Sequence, residues 1–364
     1  MAGLDLPVIV QVIWLIMLLL ILTGLYQRIQ LKLWILIIKT RLSIIKNVFE
    51  EDKLRVKNML RSMGLETPEF MLSRLLDFFI IEPVSIEPTD IIKRMDHLLR
   101  VAESSVKQLI EKALPSIGKY ERSLVESAVS IVASIGLIYR VLRHYIIQGE
   151  KEENYIIVMQ LMYLMPQILR IVKILHEALD AFMYGKPIGD GVGPLVAYML
   201  AEKSNVVSKR IIDETSVLEA MYKNRRLIII KAEGPGSNVG YPGAVVSRIV
   251  EELNGNVSLI LTVDAALKLE GEETGLIAEG VGVAIGDPGP EKIAIERVAA
   301  KYNIPLRALV IKMDLREALT TMRKSIHQTC EAVIDRIEKI IEEFTTEGST
   351  IIIAGIGNTM GIPG

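Results

Sequence analysis

Val257–Asp264 reads VSLILTVD, an aliphatic run that ends on a carboxylate. A run this short and this apolar suits a strand buried on both faces, as inside a parallel sheet. Leu227–Lys231 (LIIIK), Val281–Ile285 (VGVAI), Leu306–Lys312 (LRALVIK) and Thr350–Ala354 (TIIIA) have the same character. Helical stretches at 194–203, 242–253, 290–302 and 315–346 separate them. Strands alternating with helices predict an α/β domain with a mostly parallel sheet flanked by helices.

Glycine marks where this domain begins. Six of the 26 glycines precede residue 185, and the other 20 lie from Gly185 onward. Residues 50–185 instead carry apolar positions at helical spacing, in segments 69–81, 91–114, 119–147 and 154–184, with Pro83 and Pro88 breaking the pattern. Ala128–Ile138 and Tyr155–Leu169 are apolar nearly all round yet hold or adjoin Ser130, Ser134, Gln160, Gln167 and Arg170. They are expected to be buried helices of a bundle, with Met159, Met162 and Met165 filling its core. Arg140, Arg143 and His144, beside Tyr139 and Tyr145, are expected on a solvated face, with a lipid-headgroup or anion patch as the alternative.

Pro7–Tyr26 (PVIVQVIWLIMLLLILTGLY) is uncharged over 20 residues. At 1.5 Å per residue it is long enough for the hydrocarbon core of a bilayer, about 30 Å. Asp5 precedes it, while Arg28, Lys32, Lys39, Arg41 and Lys46 follow. That asymmetry predicts an uncleaved transmembrane anchor in contact with membrane lipid, a short outer tail and a cytoplasmic carboxyl side. Leu31–Ile38 (LKLWILII) is expected to continue the helix out of the membrane; lying along the interface or packing on a second copy, as in a homo-oligomer, are alternatives. The expected organisation is thus an anchor and juxtamembrane helix at 1–49, a helical bundle at 50–185 and a glycine-rich α/β domain at 186–364.

Composition narrows the function classes. A net charge of −2 gives no positive field for nucleic acid. One cysteine, Cys330, excludes an internal disulfide framework and a cysteine-built zinc site. The four histidines are scattered and form no metal-ligand motif.

The chemistry-bearing residues fall in loops at strand ends and helix starts, where ligands bind in such sheets. Gly189-Asp190-Gly191-Val192-Gly193-Pro194 opens one helix. Glu233, Gly234, Gly236, Asn238 and Gly240 lie between the 227–231 strand and the next helix. Asp264 ends the 257–263 strand and precedes an acidic loop holding Lys268, Glu270, Glu272, Glu273 and Glu279, and Asp287 follows 281–285. Free backbone N–H groups in such turns suit phosphate. Yet two carboxylates ~4 Å apart repel by about 4 kcal/mol at an effective dielectric of 20. The acids therefore favour a divalent metal, a shared proton or a cationic ligand. The plain alternative is that the glycines only turn the chain and the carboxylates only cap helices. No P-loop, dinucleotide fingerprint or GxSxG elbow is present.

Ile351–Thr359 (IIIAGIGNT) and Gly189–Ala197 (GDGVGPLVA), joined in that order, resemble the opening of hydrogenase-maturation endopeptidases and the related spore germination proteases. Asp264 resembles the second acid of that family. The resemblance implies a phosphorylase/hydrolase-like three-layer sandwich and an acid- or metal-dependent peptidase, with Gly357 and Asn358 in the site. Because the two pieces stand in inverted order, a circular permutation is expected, with 350–364 inserted beside 257–263. Over its full length the chain also resembles an archaeal family of membrane-anchored proteins of unknown function, through PIGDGVGP, KAEGPGSNVGYPG, DAALKLEGEETGLIAEG and AIGDPGPEK. That resemblance implies an archaeal origin and a cytoplasmic face.

The leading expectation is a membrane-anchored, cytoplasm-facing hydrolase in which Asp190 and Asp264 bind a metal or share a proton. Glu233 and Asp287 would assist, and Gly189, Gly191, Gly193, Gly234, Gly236 and Gly240 would let the substrate backbone come close. One alternative is a non-catalytic nucleotide or small-ligand sensor, with Lys231, Lys268 and Lys292 offsetting the acids. Another is a structural membrane scaffold.

Overall fold

The computed structural model describes residues 6–22, 24–81, 83, 90–286 and 289–364. The chain forms two compact units, one of residues up to Arg55 with Val132–Lys173, the other of Val56–Ile131 with Ile174–Gly364.

The first unit is helical. α1 (Leu6–Leu22) is 17 residues long and uncharged. Gly24, at φ +68°, separates it from α2 (Leu25–Ser62), so the apolar run is interrupted before Tyr26 rather than continuing as one helix. α5 (Lys119–Lys151) runs antiparallel to α2: Lys39 pairs with Glu150 at 2.6 Å, and Phe49 stacks on Tyr139 at 6.5 Å between centroids. Gly136 permits this packing, since a Cβ there would lie 2.7 Å from the Phe49 ring. α6 (Tyr155–Met183) starts against α2, where the Tyr155 hydroxyl donates to Gln30 Oε1 at 2.9 Å. Leu31, Ile35, Ile38, Leu42, Ile45 and Phe49 give α2 a buried stripe at steps of three and four.

The start of α6 departs from expectation. Met165 is buried, but Ile156 and Met159 are exposed and Tyr163 is 79 % exposed, so this is no all-round buried helix and Met159 fills no core. The 128–138 stretch of α5 is closer to expectation, with Ala128, Val129, Val132 and Ile135 buried and Leu137 outside. Among the described residues, α5 and α6 are long and apolar enough to cross a membrane, a test that core helices also pass.

In the second unit, α3 (Pro68–Leu76) stops at Asp77, short of the expected end at 81. The Pro88 break lies outside the described residues, and α4 (Ile91–Ala113) follows. The rest is the α/β part, entered through α7 (Val192–Lys203). Seven strands form one sheet: β1 (Asn205–Ile212), β2 (Thr215–Tyr222), β3 (Arg225–Ala232), β4 (Leu259–Leu267), β5 (Ile277–Val281), β6 (Leu306–Met313) and β7 (Thr350–Gly355), in the order β1-β2-β3-β7-β4-β6-β5. The central four, β3, β7, β4 and β6, are parallel; β2 and β5 flank them in antiparallel pairing, and β1 pairs antiparallel to β2. The sheet is therefore mixed rather than mostly parallel.

Helices cover both faces of this sheet. Leu227, Ile229, Leu261, Ile351 and Ile353 meet α7 and α11 (Lys324–Phe344) on one face. Ile228, Ile230, Ile260 and Ile352 meet α8 (Pro242–Glu252) and α9 (Pro290–Tyr302) on the other. The expected strand at 281–285 is replaced by β5, which ends at Val281; only Val283 of the following residues is buried. The expected helix 315–346 is split into α10 (Leu315–Leu319) and α11, because residues 320–323 turn aside to pair with the 187–189 segment, with Met322 N–H donating to Pro187 O at 2.7 Å.

A capping box starts α10. Asp314 accepts from Glu317 N–H at 2.8 Å, and the Glu317 carboxylate accepts from Asp314 N–H at 2.9 Å. Asp314→Ala is expected to cost about 1 kcal/mol in denaturant unfolding; an unchanged midpoint would show that the box contributes nothing.

Candidate functional site

Asp264 does not end its strand as expected: β4 runs on to Leu267, and Asp264 lies within it, opposite Val310 of β6 and one residue past the Val263–Gly355 pair at which β7 stops. It is 5 % exposed. Its carboxylate accepts the Ala265 N–H at 2.7 Å and is also reached by the Gly286 N–H. Burial, and then the negative charge of Asp190, push its pKa up to about 8 against those two stabilising donors. Asp190 belongs to the tight turn Gly189–Gly191 before α7 and is half-buried. Burial raises it as well, opposed by the Asn358 N–H, which donates to its Oδ2 at 3.0 Å. Two acids 74 positions apart in sequence therefore share one electrostatic site.

The glycines bring them together by close backbone approach. A Cβ on Gly193 would lie 2.2 Å from the Ile356 carbonyl and 2.4 Å from that of Val263. One on Gly355 would lie 2.3 Å from the Gly193 carbonyl, and one on Gly357, at φ +129°, 2.0 Å from that of Asp190. α7 thus crosses the ends of β4 and β7 with bare backbone against backbone. As expected for an inserted strand, β7 pairs with β4, setting Thr262 beside Ala354 and Val263 beside Gly355. Gly189 and Gly191 flank Asp190 in its turn, Gly357 and Asn358 lie against it, and Gly193 meets Val263, the neighbour of Asp264.

The 233–243 loop is tied to this site but turned differently. Ser237 is its anchor: its N–H donates to Ser123 Oγ at 3.1 Å, and its hydroxyl accepts from Ser127 and from Asn358 Nδ2 at 2.7 and 2.9 Å. Asn238 accepts from Gly240 N–H and donates to the Glu214 carbonyl. The Thr359 hydroxyl lies within 3.0–3.1 Å of the carbonyls of Glu233, Gly236 and Asn238. Gly234 and Gly236 pack against Ile362 and Ser123. The N–H groups of Ser237 and Gly240 are thus already spent on side chains. Glu233 directs its carboxylate to Lys119 at 2.5 Å. Asp287 lies outside the described residues.

Lys231, Lys268, Glu272 and Glu279 near these loops have local partners. Lys231 is 1 % exposed, donates to the carbonyls of Pro363 at 2.6 Å and Ala232 at 3.3 Å, and is lowered to about 8 chiefly by burial. Lys268 donates to Thr274. Glu272 accepts from Leu269 N–H, and Glu279 pairs with Arg307 and Arg336. Among the described residues no three His, Cys, Asp or Glu side chains gather to hold a metal. The pair by itself supplies two carboxylates, short of the three protein ligands of a catalytic zinc centre.

Sequence reading did not find Ser123, Ser127 and Thr359, which brace the loops. The two serines are on a helix more than 100 residues before their partners, and no local pattern marks them.

Comparison with known proteins divides the chain in two. Residues 12–185 match the family model described as protein of unknown function (DUF1512), N-terminal domain, and residues 188–363 match domain of unknown function (DUF1512), C-terminal. No curated protein matches. Among solved structures, a proteasome-assembly chaperone homologue from Mycobacterium tuberculosis aligns at 11 % identity and a TM-score of 0.29, over 45 % of this chain and 84 % of that one. A likeness at that TM-score bears on neither fold nor function.

Proposed function

The chain belongs to the DUF1512 family, and we propose that its C-terminal half is an acid–base hydrolase of peptidase type, held on the cytoplasmic face of a membrane by α1. The observation that carries this reading is the pairing of half-buried Asp190 with buried Asp264, which is pushed up to about 8. Near neutral pH such a pair retains one proton, the arrangement that lets one carboxylate take a proton while the other gives one. Asp190, the more exposed and steadied by the Asn358 N–H, accepts the proton of an attacking water. Asp264 donates its proton to the carbonyl oxygen as the water oxygen bonds to carbon. The proton taken by Asp190 then passes to the leaving nitrogen as the C–N bond breaks, and one hydroxyl of the tetrahedral carbon returns its proton to Asp264 as the carboxyl group forms. Among the described residues the donor set is the two carboxylates alone, and no step here runs through a metal.

Anchoring is supported by the uncharged α1, exposed along Val8–Leu19, and by the cations that follow it. The sensor reading has less support, because Lys231 is buried and hydrogen-bonded to the carbonyls of Pro363 and Ala232.

The test is cleavage of a fluorogenic peptide pool by the full chain in detergent micelles between pH 4 and 9. Asp190→Asn and Asp264→Asn should each lower the rate at least about 100-fold. Absence of cleavage by the unmodified protein, or full activity in both variants, removes the hydrolase reading.

A further inference from the structure

The first unit keeps an apolar flank on its outside. On α2, Ile29, Leu33 and Leu36 are exposed; on the first turns of α6, so are Ile156, Met159 and Tyr163. The two rows belong to one surface, because Trp34 packs on Tyr155 at 5.1 Å between centroids and Tyr155 is hydrogen-bonded to Gln30. We infer that this flank lies in the headgroup layer of a lipid bilayer, so that the bundle itself, and not α1 alone, contacts the membrane. This rests on the anchoring part of the proposed function and extends it to a second surface.

Three observations favour lipid as the occupant. Residues 6–49 hold five cations, Arg28, Lys32, Lys39, Arg41 and Lys46, and no Asp or Glu. Long basic side chains beside exposed aliphatic ones suit a layer where the stem is apolar and the head meets phosphate. Tyrosine and tryptophan concentrate at the same depth in membrane proteins, and Tyr26, Trp34, Tyr155 and Tyr163 lie on this end of the bundle. The flank also begins at Ile29, in the second turn of α2, and α2 starts three residues after α1 ends at Leu22, so the flank follows closely on the anchor. A second copy fits less well, since a two-fold contact through α2 would bring together the cations of both copies, with no acid in residues 6–49 to offset them.

The experiment places one spin label at a time on the full chain in vesicles of phosphatidylcholine and phosphatidylglycerol. Labels at Trp14→Cys, Met159→Cys, Tyr163→Cys and Asp335→Cys report α1, two turns of the flank and an exposed aqueous position on α11. Cys330 is fully buried with its thiol pushed up to about 12, and stays unlabelled. At Met159 and Tyr163, collision with a water-soluble nickel chelate should fall about tenfold below that at Asp335, as expected for seating 5–10 Å into the interface. Flank labels as open to nickel as Asp335, with Trp14 shielded, overturn the inference and leave the anchor standing. A nickel-exposed Trp14 removes the anchor and the inference together. Dipolar broadening between Tyr163 labels shows that a second copy covers the flank, and also overturns the inference.

Discussion

Asp264→Asn stabilises the protein at pH 8 and flattens its stability between pH 4 and 8. The carboxyl is pushed up to about 8 in the folded chain, whereas in the unfolded chain it titrates near 4. Across that window the folded state holds a proton that the unfolded state has released. Unfolding free energy therefore falls as pH rises, and the stabilising proton is fully present only below the unfolded value. At pH 8 the destabilisation is at most roughly 5 kcal/mol. Asparagine keeps an acceptor for the Ala265 and Gly286 N–H groups but cannot ionise. Urea unfolding of both proteins at intervals from pH 5 to 8 measures the difference in slope. Parallel slopes would mean that Asp264 titrates normally, and the buried-pair chemistry would fall with it. Asp190→Asn should lower the Asp264 titration, because it removes a neighbouring negative charge. The substitution that stabilises the fold is thus the one expected to abolish hydrolysis, a usual trade at a strained site.

Gly193→Ala has the opposite sign and a comparable size. Its new methyl would meet the Ile356 carbonyl at 2.2 Å, the Val263 carbonyl at 2.4 Å and the Ile356 nitrogen at 2.8 Å. All three are backbone atoms where β4 and β7 run beside each other, so none can swing away as a side chain would. α7 must lift from the sheet, parting Val192, Val196 and Ala197 from the core they fill. A loss of more than about 4 kcal/mol is expected, seen as failure to fold or a collapsed denaturant midpoint. Gly280→Ala is the control: nothing lies within 4 Å of its Cβ position, and a change within about 0.5 kcal/mol is expected. Equal tolerance at both positions would show that α7 does not depend on backbone contact.

The parts of the fold that could be read from sequence are those where burial leaves a uniform chemical mark. β3, β4, β6 and β7 are inner strands covered on both faces, and Ile, Leu and Val dominate them. β1, β2 and the turns that lead through them into β3 left no such trace. The turns use Asp213-Glu214 and Lys223-Asn224 at positive φ, where a glycine would have announced a hairpin. β1 is exposed along nearly its whole length, so it lacks the apolar alternation of a half-buried strand. β5 carries Glu279 and Gly280 and resembles a loop. Within the site, Asp190 and Asp264 were legible because each adjoins a glycine-rich turn or an aliphatic run, where a carboxylate stands out from its neighbours. The direction of Glu233 was not, because its partner Lys119 lies in another segment.

The position of β7 has a consequence for biosynthesis. During vectorial translation β3 and β4 emerge long before the segment that separates them, and each has a raw inner edge until residues 350–355 arrive. The sheet cannot close while the ribosome is still on the preceding helix. Ordered closure must therefore wait until β7 has emerged, and until then the exposed edges are open to mispairing between neighbouring nascent chains.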